Sequence, residues 1–224
     1  MKKFLTGNMY FGLLIGLILY IGLFLPNYQV EDSLDFALID KHKLMDESES
    51  PKLIFVGGSN LSFGMNSKLI RDSLNMNVIN TGIHASYGLK FIMNDVIDHI
   101  EKDDIVILSP EYHQFYGTLA EGEEALLKVL FDVYPDKYKT LPVSQWFYLL
   151  KYIPRYVGRK LLGNVLYLIA PNSKKLVNSE DYMRDSFNEY GDVTTHWNKP
   201  QYDFPPDNES PVCSMPQTCY KPCN

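Results

Sequence analysis

The chain has 224 residues, of which 46% are hydrophobic and 21% are charged, and this composition excludes a disordered, collagen-like or coiled-coil protein. Its formal net charge is −6, and the chain after Pro26 carries a net charge of −8, because only Lys2 and Lys3 are charged before that point. A body this acidic is a poor candidate for binding nucleic acid, or an anionic membrane surface, through charge alone. The length predicts one domain and one appendage.

The appendage is predicted at the N-terminus, over residues 1–26. Residues 9–25 contain no charge, and seventeen apolar residues are the short end of what spans a bilayer as a helix. No small-residue cleavage site follows, which favours an uncleaved signal anchor over a cleaved signal peptide. A buried helix of a soluble protein is the third alternative. By the positive-inside rule, Lys2 and Lys3 stay cytoplasmic, so we expect a single-pass protein of the cytoplasmic membrane with its C-terminal domain outside the cytoplasm.

Residues 27–50 are polar and acidic, and they predict a stalk, with or without one short helix, between this anchor and a domain over residues 51–200. Three short apolar runs follow, at residues 53–56, 78–79 and 105–108, and each ends in small or polar residues. Such runs are typical of strands buried on both faces of a parallel sheet. Helical patterns lie between the runs, at residues 67–74 and 89–102. The alternation predicts a doubly wound α/β fold.

An aromatic helical insertion is predicted over about residues 117–170. It either packs on the sheet, covers the site or leans on the bilayer, and its basic residues argue against a second membrane span. Residues 201–224 are rich in Pro and polar residues and predict an unstructured tail. The tail contains Cys213, Cys219 and Cys223, whose redox state the sequence leaves open.

The first strand run ends in Gly57-Gly58-Ser59-Asn60, the strongest local signal for chemistry. Glycines allow a sharp turn and a close approach of substrate, and N–H groups at a following helix start can hold an oxyanion. Ser59 is therefore either a nucleophile that attacks an ester carbonyl or a helix cap.

The next two strand runs end in further polar groups. Asn80-Thr81-Gly82 supplies a second N–H for the same crevice, and His84 is either a general base or a hydrogen-bonded structural residue. Glu111 and His113 follow the third run and are expected near the same edge of the sheet.

With these motifs the chain resembles the SGNH/GDSL family of serine esterases and acyltransferases, particularly its membrane-anchored bacterial branch. The resemblance covers residues 51–116 and depends on Gly57-Gly58-Ser59-Asn60, Asn80-Thr81-Gly82 and Ser109-Pro110-Glu111. It implies a flavodoxin-like three-layer α/β/α fold. It also implies that Ser59 is the nucleophile and that the N–H groups of Ser59 and Gly82 form the oxyanion hole.

The chain departs from the family pattern at three places. Gly58 stands where the family has Asp, and Glu111 ends a block that otherwise supplies an Asn donor. The family's catalytic His follows an Asp by three residues near the C-terminus, whereas His196, the candidate here, follows Asp192 by four. No strand run follows residue 174, so the ending predicts either a chain stopped early, by a frameshift or a chosen boundary, or a divergent terminus.

Two functions compete at this point. The first is an anchored extracytoplasmic serine esterase or O-acyltransferase acting on an acylated envelope glycan or similar ester, with Ser59, Gly82, Glu111 and His196 as site residues. The second is a non-catalytic protein of the same fold that binds an envelope glycan or a protein through aromatic residues such as Trp146. No metal or cofactor is predicted, since no two His have metal-site spacing and the Gly-Gly-Ser turn lacks a phosphate-binding Lys. The oligomeric state is left open.

Overall fold

The structure is a computed structural model that describes residues 2–28, 32–135, 137–139, 141–169 and 183–197. The predicted tail, with its three cysteines, lies outside the described residues. The described residues contain three strands, β1 (Lys52–Gly57), β2 (Asn77–Asn80) and β3 (Ile105–Ser109). The helices are α1 (Lys2–Phe24), α2 (Ala37–Glu47), α3 (Ser59–Gly64), α4 (Ser67–Leu74), α5 (Leu89–Ile97), α6 (Glu124–Lys128), α7 (Val143–Leu149) and α8 (Ile153–Ile169).

Helix α1 is long and apolar enough to span a membrane over Lys3–Phe24. Its C-terminal end packs against α8, where Lys160 Nζ donates to the Leu23 carbonyl at 2.9 Å and Asn164 Nδ2 donates to the Pro26 carbonyl at 2.8 Å. Carbonyls at the end of a helix lack intrahelical donors, so these side chains satisfy groups that the helix leaves unpaired. The candidate span is therefore joined directly to the folded domain.

The described part of residues 27–50 is not a polar stalk, and that prediction is corrected. Leu34, Leu38 and Met45 are buried in the main hydrophobic cluster, and α2 contributes Lys41 and His42 to the interior as well. Within α2, the buried residues Leu38, Lys41, His42 and Met45 recur at three- and four-residue spacing, which places them on one face of the helix. The sequence did not reveal this buried face because two of its residues, Lys41 and His42, are polar.

The three strands form a parallel sheet in the order β2–β1–β3, which confirms the predicted parallel α/β arrangement. Ile54 and Val56 of β1 belong to the main cluster with α2 and α5, whereas Leu53 packs with Leu61 of α3 and Val78 of β2. Successive strand residues point to opposite faces, so helices cover β1 on both faces.

The third strand differs from the prediction of burial on both faces. Residues 105–108 of β3 are each 40–49% exposed, since β3 is an edge strand that pairs only with β1 among the described residues. The preceding helix α5 is also shorter than predicted: it ends at Ile97, and turns lead from there to β3.

The insertion is helical where it is described, as predicted. Helix α6 continues as a π-helical turn over Val129–Val133, and α7 and α8 follow. Phe131 lies edge-on to Trp146 at 6.2 Å between ring centroids and also contacts the Tyr156 ring. Trp146 and Tyr156 thus belong to the packing of the helices.

Candidate active site

Ser59 lies directly after the central strand, as the first residue of α3. Gly57 and Gly58 make the approach possible: a Cβ on Gly57 would stand 2.4 Å from the Ser109 carbonyl oxygen, and one on Gly58 would stand 2.5 Å from Glu111 Oε1. Only residues without a side chain fit between the ends of β1 and β3 at these distances. The two glycines therefore bring Glu111 to the nucleophile candidate.

The Ser59 hydroxyl donates to Glu111 Oε1 at 2.8 Å, and the Asn60 N–H approaches the same oxygen at 3.2 Å. The Ser59 side chain makes no capping hydrogen bond in α3, whose N-cap residue is Gly58. The structure therefore does not support the alternative that Ser59 is a helix cap. Glu111, predicted from the third strand end, is the hydrogen-bond partner of Ser59.

Gln114 holds Glu111 in place, a role that sequence reasoning missed. Gln114 is 2% exposed, its Oε1 accepts the Glu111 N–H at 2.9 Å, and its Nε2 donates to the Ala85 carbonyl at 3.1 Å. Ala85 in turn lies against Gly58. The signal in the sequence was the capping-box spacing of Glu111 and Gln114.

The Asn60 side chain links the ends of β1 and β3 through two hydrogen bonds. Its Oδ1 accepts the Gly58 N–H at 3.1 Å, and its Nδ2 donates to the Ser109 carbonyl at 3.1 Å. Both bonds lie beside Ser59, so the turn that presents the hydroxyl is held from two sides.

Gly82 lies next to this turn, but its N–H does not point into the crevice as expected. It donates to Asn80 Oδ1 at 2.9 Å inside the protein. A Cβ on Gly82 would stand 2.6 Å from the Gly58 carbonyl oxygen, so Gly82 is required here for a close approach between two loops.

A buried lysine lies beneath these loops. Lys41 Nζ donates to the carbonyls of Asn80 at 2.9 Å, Gly82 at 2.5 Å and Gly191 at 2.8 Å, which uses all three ammonium protons. Burial lowers the pKa of Lys41 to about 7, and the charge of Asp192 opposes that shift. Lys41 connects α2, the end of β2 and the 191 loop.

Asp192 completes the buried network, and among the described residues no hydrogen bond or ion pair joins its carboxylate to His196. Its carboxylate accepts the Ser67 N–H at 2.7 Å, the Ser67 hydroxyl at 2.6 Å and Asn80 Nδ2 at 2.8 Å. A carboxylate satisfied in this way fixes the start of α4 against β2. Asp192 is therefore a structural residue. It does not form the Asp–His pair that the family pattern would require.

His196 lies next to α3, the helix that begins at Ser59, but among the described residues no hydrogen bond joins the two side chains. Its ring is 5.6 Å from that of Phe63, one helical turn after Ser59 in α3. His196 Nδ1 is buried and has no hydrogen-bond partner among the described residues. The ring packs against Phe63 of α3, and the hydroxyl of Ser59 donates to Glu111 instead.

His84 has its tautomer set by a backbone contact. Its Nδ1 accepts the Ser86 N–H at 3.0 Å, so the proton of the neutral ring is on Nε2. A neutral His84 therefore donates through Nε2, and it is unsuited to taking a proton there.

An open cleft of about 430 Å³ is lined by His84 and Ser86 and by residues of α6 and α8. Its charges are paired with one another: Arg155 and Arg159 with Glu124, and Lys128 with Asp35. The cleft is thus polar without a strong excess of either sign.

Comparison with known proteins gave no match to a family model, to a curated protein or to a solved structure. The function is therefore argued from the geometry of Ser59 and its neighbours.

Proposed function

We propose that the chain is a membrane-anchored serine esterase or O-acyltransferase that acts on an acylated glycan or similar ester of the cell envelope. The observation that carries the proposal is the 2.8 Å hydrogen bond from the Ser59 hydroxyl to Glu111, made at the carboxyl ends of two parallel strands. Ligands of open α/β sheets bind at that edge. Helices on both faces of β1 support the flavodoxin-like three-layer fold that the resemblance implies.

In the proposed reaction, the proton moves between Ser59 and Glu111. As Ser59 Oγ attacks the acyl carbon, its proton passes to the Glu111 carboxylate, and the carbonyl oxygen becomes an oxyanion. Collapse of the intermediate breaks the ester bond, and Glu111 returns the proton to the departing alcohol oxygen. A water or an acceptor hydroxyl then gives its proton to Glu111 and takes the acyl group from Ser59, and Glu111 passes that proton back to Ser59 Oγ as the bond to the acyl carbon breaks. The result is hydrolysis or transfer, and Ser59 and Glu111 return to their starting states.

The cleft beside the His84–Ser86 loop is the proposed place for the rest of the substrate. Glu123 in the cleft accepts hydroxyl hydrogen bonds from Ser86 at 3.1 Å and Tyr152 at 3.3 Å. A surface of paired charges and hydroxyl groups suits a neutral ligand rich in hydroxyls. An esterified sugar chain has that chemistry.

The apolar helix α1 supports the proposed location of the protein at the membrane. With Lys2 and Lys3 on the cytoplasmic side, α1 puts the domain on the other side of the membrane. The contacts of α8 with the end of α1 hold the domain next to the bilayer, where envelope polymers are assembled or modified.

A non-catalytic binding protein of the same fold is the second candidate. It is favoured by one observation, the engagement of the Gly82 N–H with Asn80, which removes an expected oxyanion donor.

Turnover of p-nitrophenyl acetate by the full chain in detergent separates the two candidates. Ser59→Ala should reduce the rate to the background, because loss of a nucleophile costs about 10⁴-fold or more. Glu111→Gln should reduce it by about 10²- to 10⁴-fold, as expected for loss of a general base. Ser73→Ala, which removes a hydroxyl that bonds only to the Leu69 carbonyl of its own helix, is the control and should leave the rate unchanged. Equal rates in the unmodified chain and Ser59→Ala would reject the enzyme.

A further inference from the structure

The proposed ester reaction at Ser59 requires a hydrogen-bond donor for the oxyanion, because negative charge develops on the carbonyl oxygen of the substrate. The Gly82 N–H, the donor expected from the sequence, is bound to Asn80 Oδ1 at 2.9 Å inside the protein. The donor must therefore come from another group beside the Ser59 turn.

Asn60 lies next to both of the reacting side chains. It follows Ser59 directly in α3, and it is exposed to solvent. Its N–H lies 3.2 Å from the same Glu111 oxygen that accepts the Ser59 hydroxyl at 2.8 Å. The Asn60 side chain thus begins beside the nucleophile candidate and its proton acceptor.

The contacts of the Asn60 carboxamide fix which of its two ends donates. Oδ1 accepts the Gly58 N–H at 3.1 Å, and Nδ2 donates to the Ser109 carbonyl at 3.1 Å. An amide turned end for end would place donor against donor and acceptor against acceptor. The other contact of Nδ2 is longer, at 3.4 Å to Ser109 Oγ. An oxyanion is a stronger acceptor than a hydroxyl group, so it can replace Ser109 Oγ as the partner of Nδ2.

We propose that Asn60 is a catalytic residue, whose Nδ2 donates a hydrogen bond to the oxyanion of the tetrahedral intermediate. The inference rests on the proposed function of Ser59. It assigns to an exposed side-chain amide the role that the family resemblance gives to the Gly82 N–H.

The movement of charge during the reaction fits this role. As the bond between Ser59 Oγ and the acyl carbon forms, the π electrons of the carbonyl group move to its oxygen, and the Ser59 proton moves to Glu111. Negative charge thus leaves Glu111 and appears on the substrate, while Asn60 keeps all its protons. Among the described residues Nδ2 donates to Ser109 alone, so its new bond stabilises the intermediate and not the Glu111 carboxylate of the resting site.

Turnover of p-nitrophenyl acetate by the full chain in detergent tests the assignment. Asn60→Asp keeps an oxygen for the Gly58 N–H but removes the amide donor, and it should lower kcat by about 10²- to 10³-fold. Asn60→Ala, which adds no charge beside Glu111, should show a loss of the same size. KM should stay within about twofold for both variants, because the oxyanion forms only after the substrate has bound.

Asn77→Asp is the matched control. The Asn77 side chain is also exposed and also donates through Nδ2 to a backbone carbonyl, that of Glu49 at 2.8 Å. Asn77 is the first residue of β2 and pairs with Lys52, at the opposite end of the sheet from Ser59. This variant should keep the rate of the unmodified chain.

The carbonyl stretch of the acyl-Ser59 intermediate separates an oxyanion donor from a residue that only holds the turn. A hydrogen bond to the carbonyl oxygen lowers the stretching frequency, so Asn60→Ala should raise it. Infrared difference spectroscopy with the acetyl group isotope-labelled at its carbonyl carbon measures the shift.

The failure of this inference and the failure of the proposed function give different results. If Ser59→Ala is inactive but both Asn60 variants keep their kcat within about twofold, or the carbonyl frequency does not change, Asn60 is not the donor and the esterase stands. If the unmodified chain and Ser59→Ala have equal rates, both proposals are rejected.

Discussion

Two polar clusters lie at the carboxyl ends of the strands, and they differ in how completely their hydrogen-bonding atoms are used. The Asp192 cluster (Lys41, Ser67, Asn80 and Asp192) is buried throughout. The Ser59 cluster (Ser59, Asn60 and Glu111) is half-buried to exposed.

Similar residue types therefore serve two purposes in these clusters. One cluster holds the fold together, and the other leaves a hydroxyl group available for chemistry. In the Asp192 cluster each charge has several fixed partners, and removal of any member leaves buried groups unpaired. In the Ser59 cluster the hydroxyl has one partner and faces solvent, where a substrate can reach it. We therefore expect stability to depend on the first cluster and activity on the second.

Lys41→Met should have the largest effect on stability. It leaves the carbonyls of Asn80, Gly82 and Gly191 without their shared donor, and a buried acceptor that loses its donor costs about 1–3 kcal/mol. Thermal unfolding of the full chain in detergent measures the loss.

Lys43→Met, on the same helix, is the control for this change. Lys43 pairs at the surface with Glu47, both being largely exposed, and loss of such a pair costs about 0–1 kcal/mol. Equal shifts in Tm for the two variants would show that the three carbonyls do not depend on Lys41.

Ser59→Ala should show the opposite balance of effects. The variant should lose activity while its unfolding free energy changes by no more than about 0.5 kcal/mol, as for most surface substitutions. Unfolding and turnover are measured on the same preparation. A large drop in Tm would mean that Ser59 is part of the scaffold.

Acid should weaken the ionic contacts of Asp95 with His42 and Lys137. Burial would raise the pKa of Asp95, but the His42 hydrogen bond and the charges of His42 and Lys137 outweigh it and hold the pKa below 3.8. A carboxyl with a lowered folded pKa stabilises the fold fully above its unfolded pKa, and the contribution disappears as pH falls below about 3.8.

Asp95→Asn should therefore flatten the dependence of Tm on pH below about 4, relative to the unmodified chain. Asp72→Asn is the control, because Asp72 is an exposed partner of Arg71. If both variants kept the full acid sensitivity, the loss at low pH would come from other carboxyl groups.

His196→Ala should have the smallest effect on turnover. With Glu111 as the base, the rate should stay within about twofold, since removal of a group that does not touch the reacting atoms leaves the transition state unchanged. A loss of about 10³-fold or more would instead make His196 the base, as the family resemblance implies. Initial rates with p-nitrophenyl acetate decide between these outcomes.

Several features could be predicted from the sequence because their signals are local. The apolar runs at residues 53–56 and 105–108 identified strands, and the Gly-Gly-Ser turn identified the residue that meets Glu111. The role of α2 could not be predicted in this way. Its inward stripe includes Lys41 and His42, whose burial is possible only because distant carbonyls and Asp95 satisfy them.

By itself the sequence determined an apolar N-terminal helix, a parallel α/β sheet and a serine at a glycine turn, because periodicity and turn chemistry depend on neighbours along the chain. Only the tertiary structure decided that β3 lies at the edge of the described sheet, that Asn80 accepts the Gly82 N–H and that the Asp192 carboxylate is bound by Ser67 and Asn80. An apolar run predicts that a segment forms a buried strand. It does not predict which strands lie beside that segment in the sheet, because those pairings depend on contacts between segments far apart in the chain. The same holds for a buried N–H, whose partner is chosen by packing.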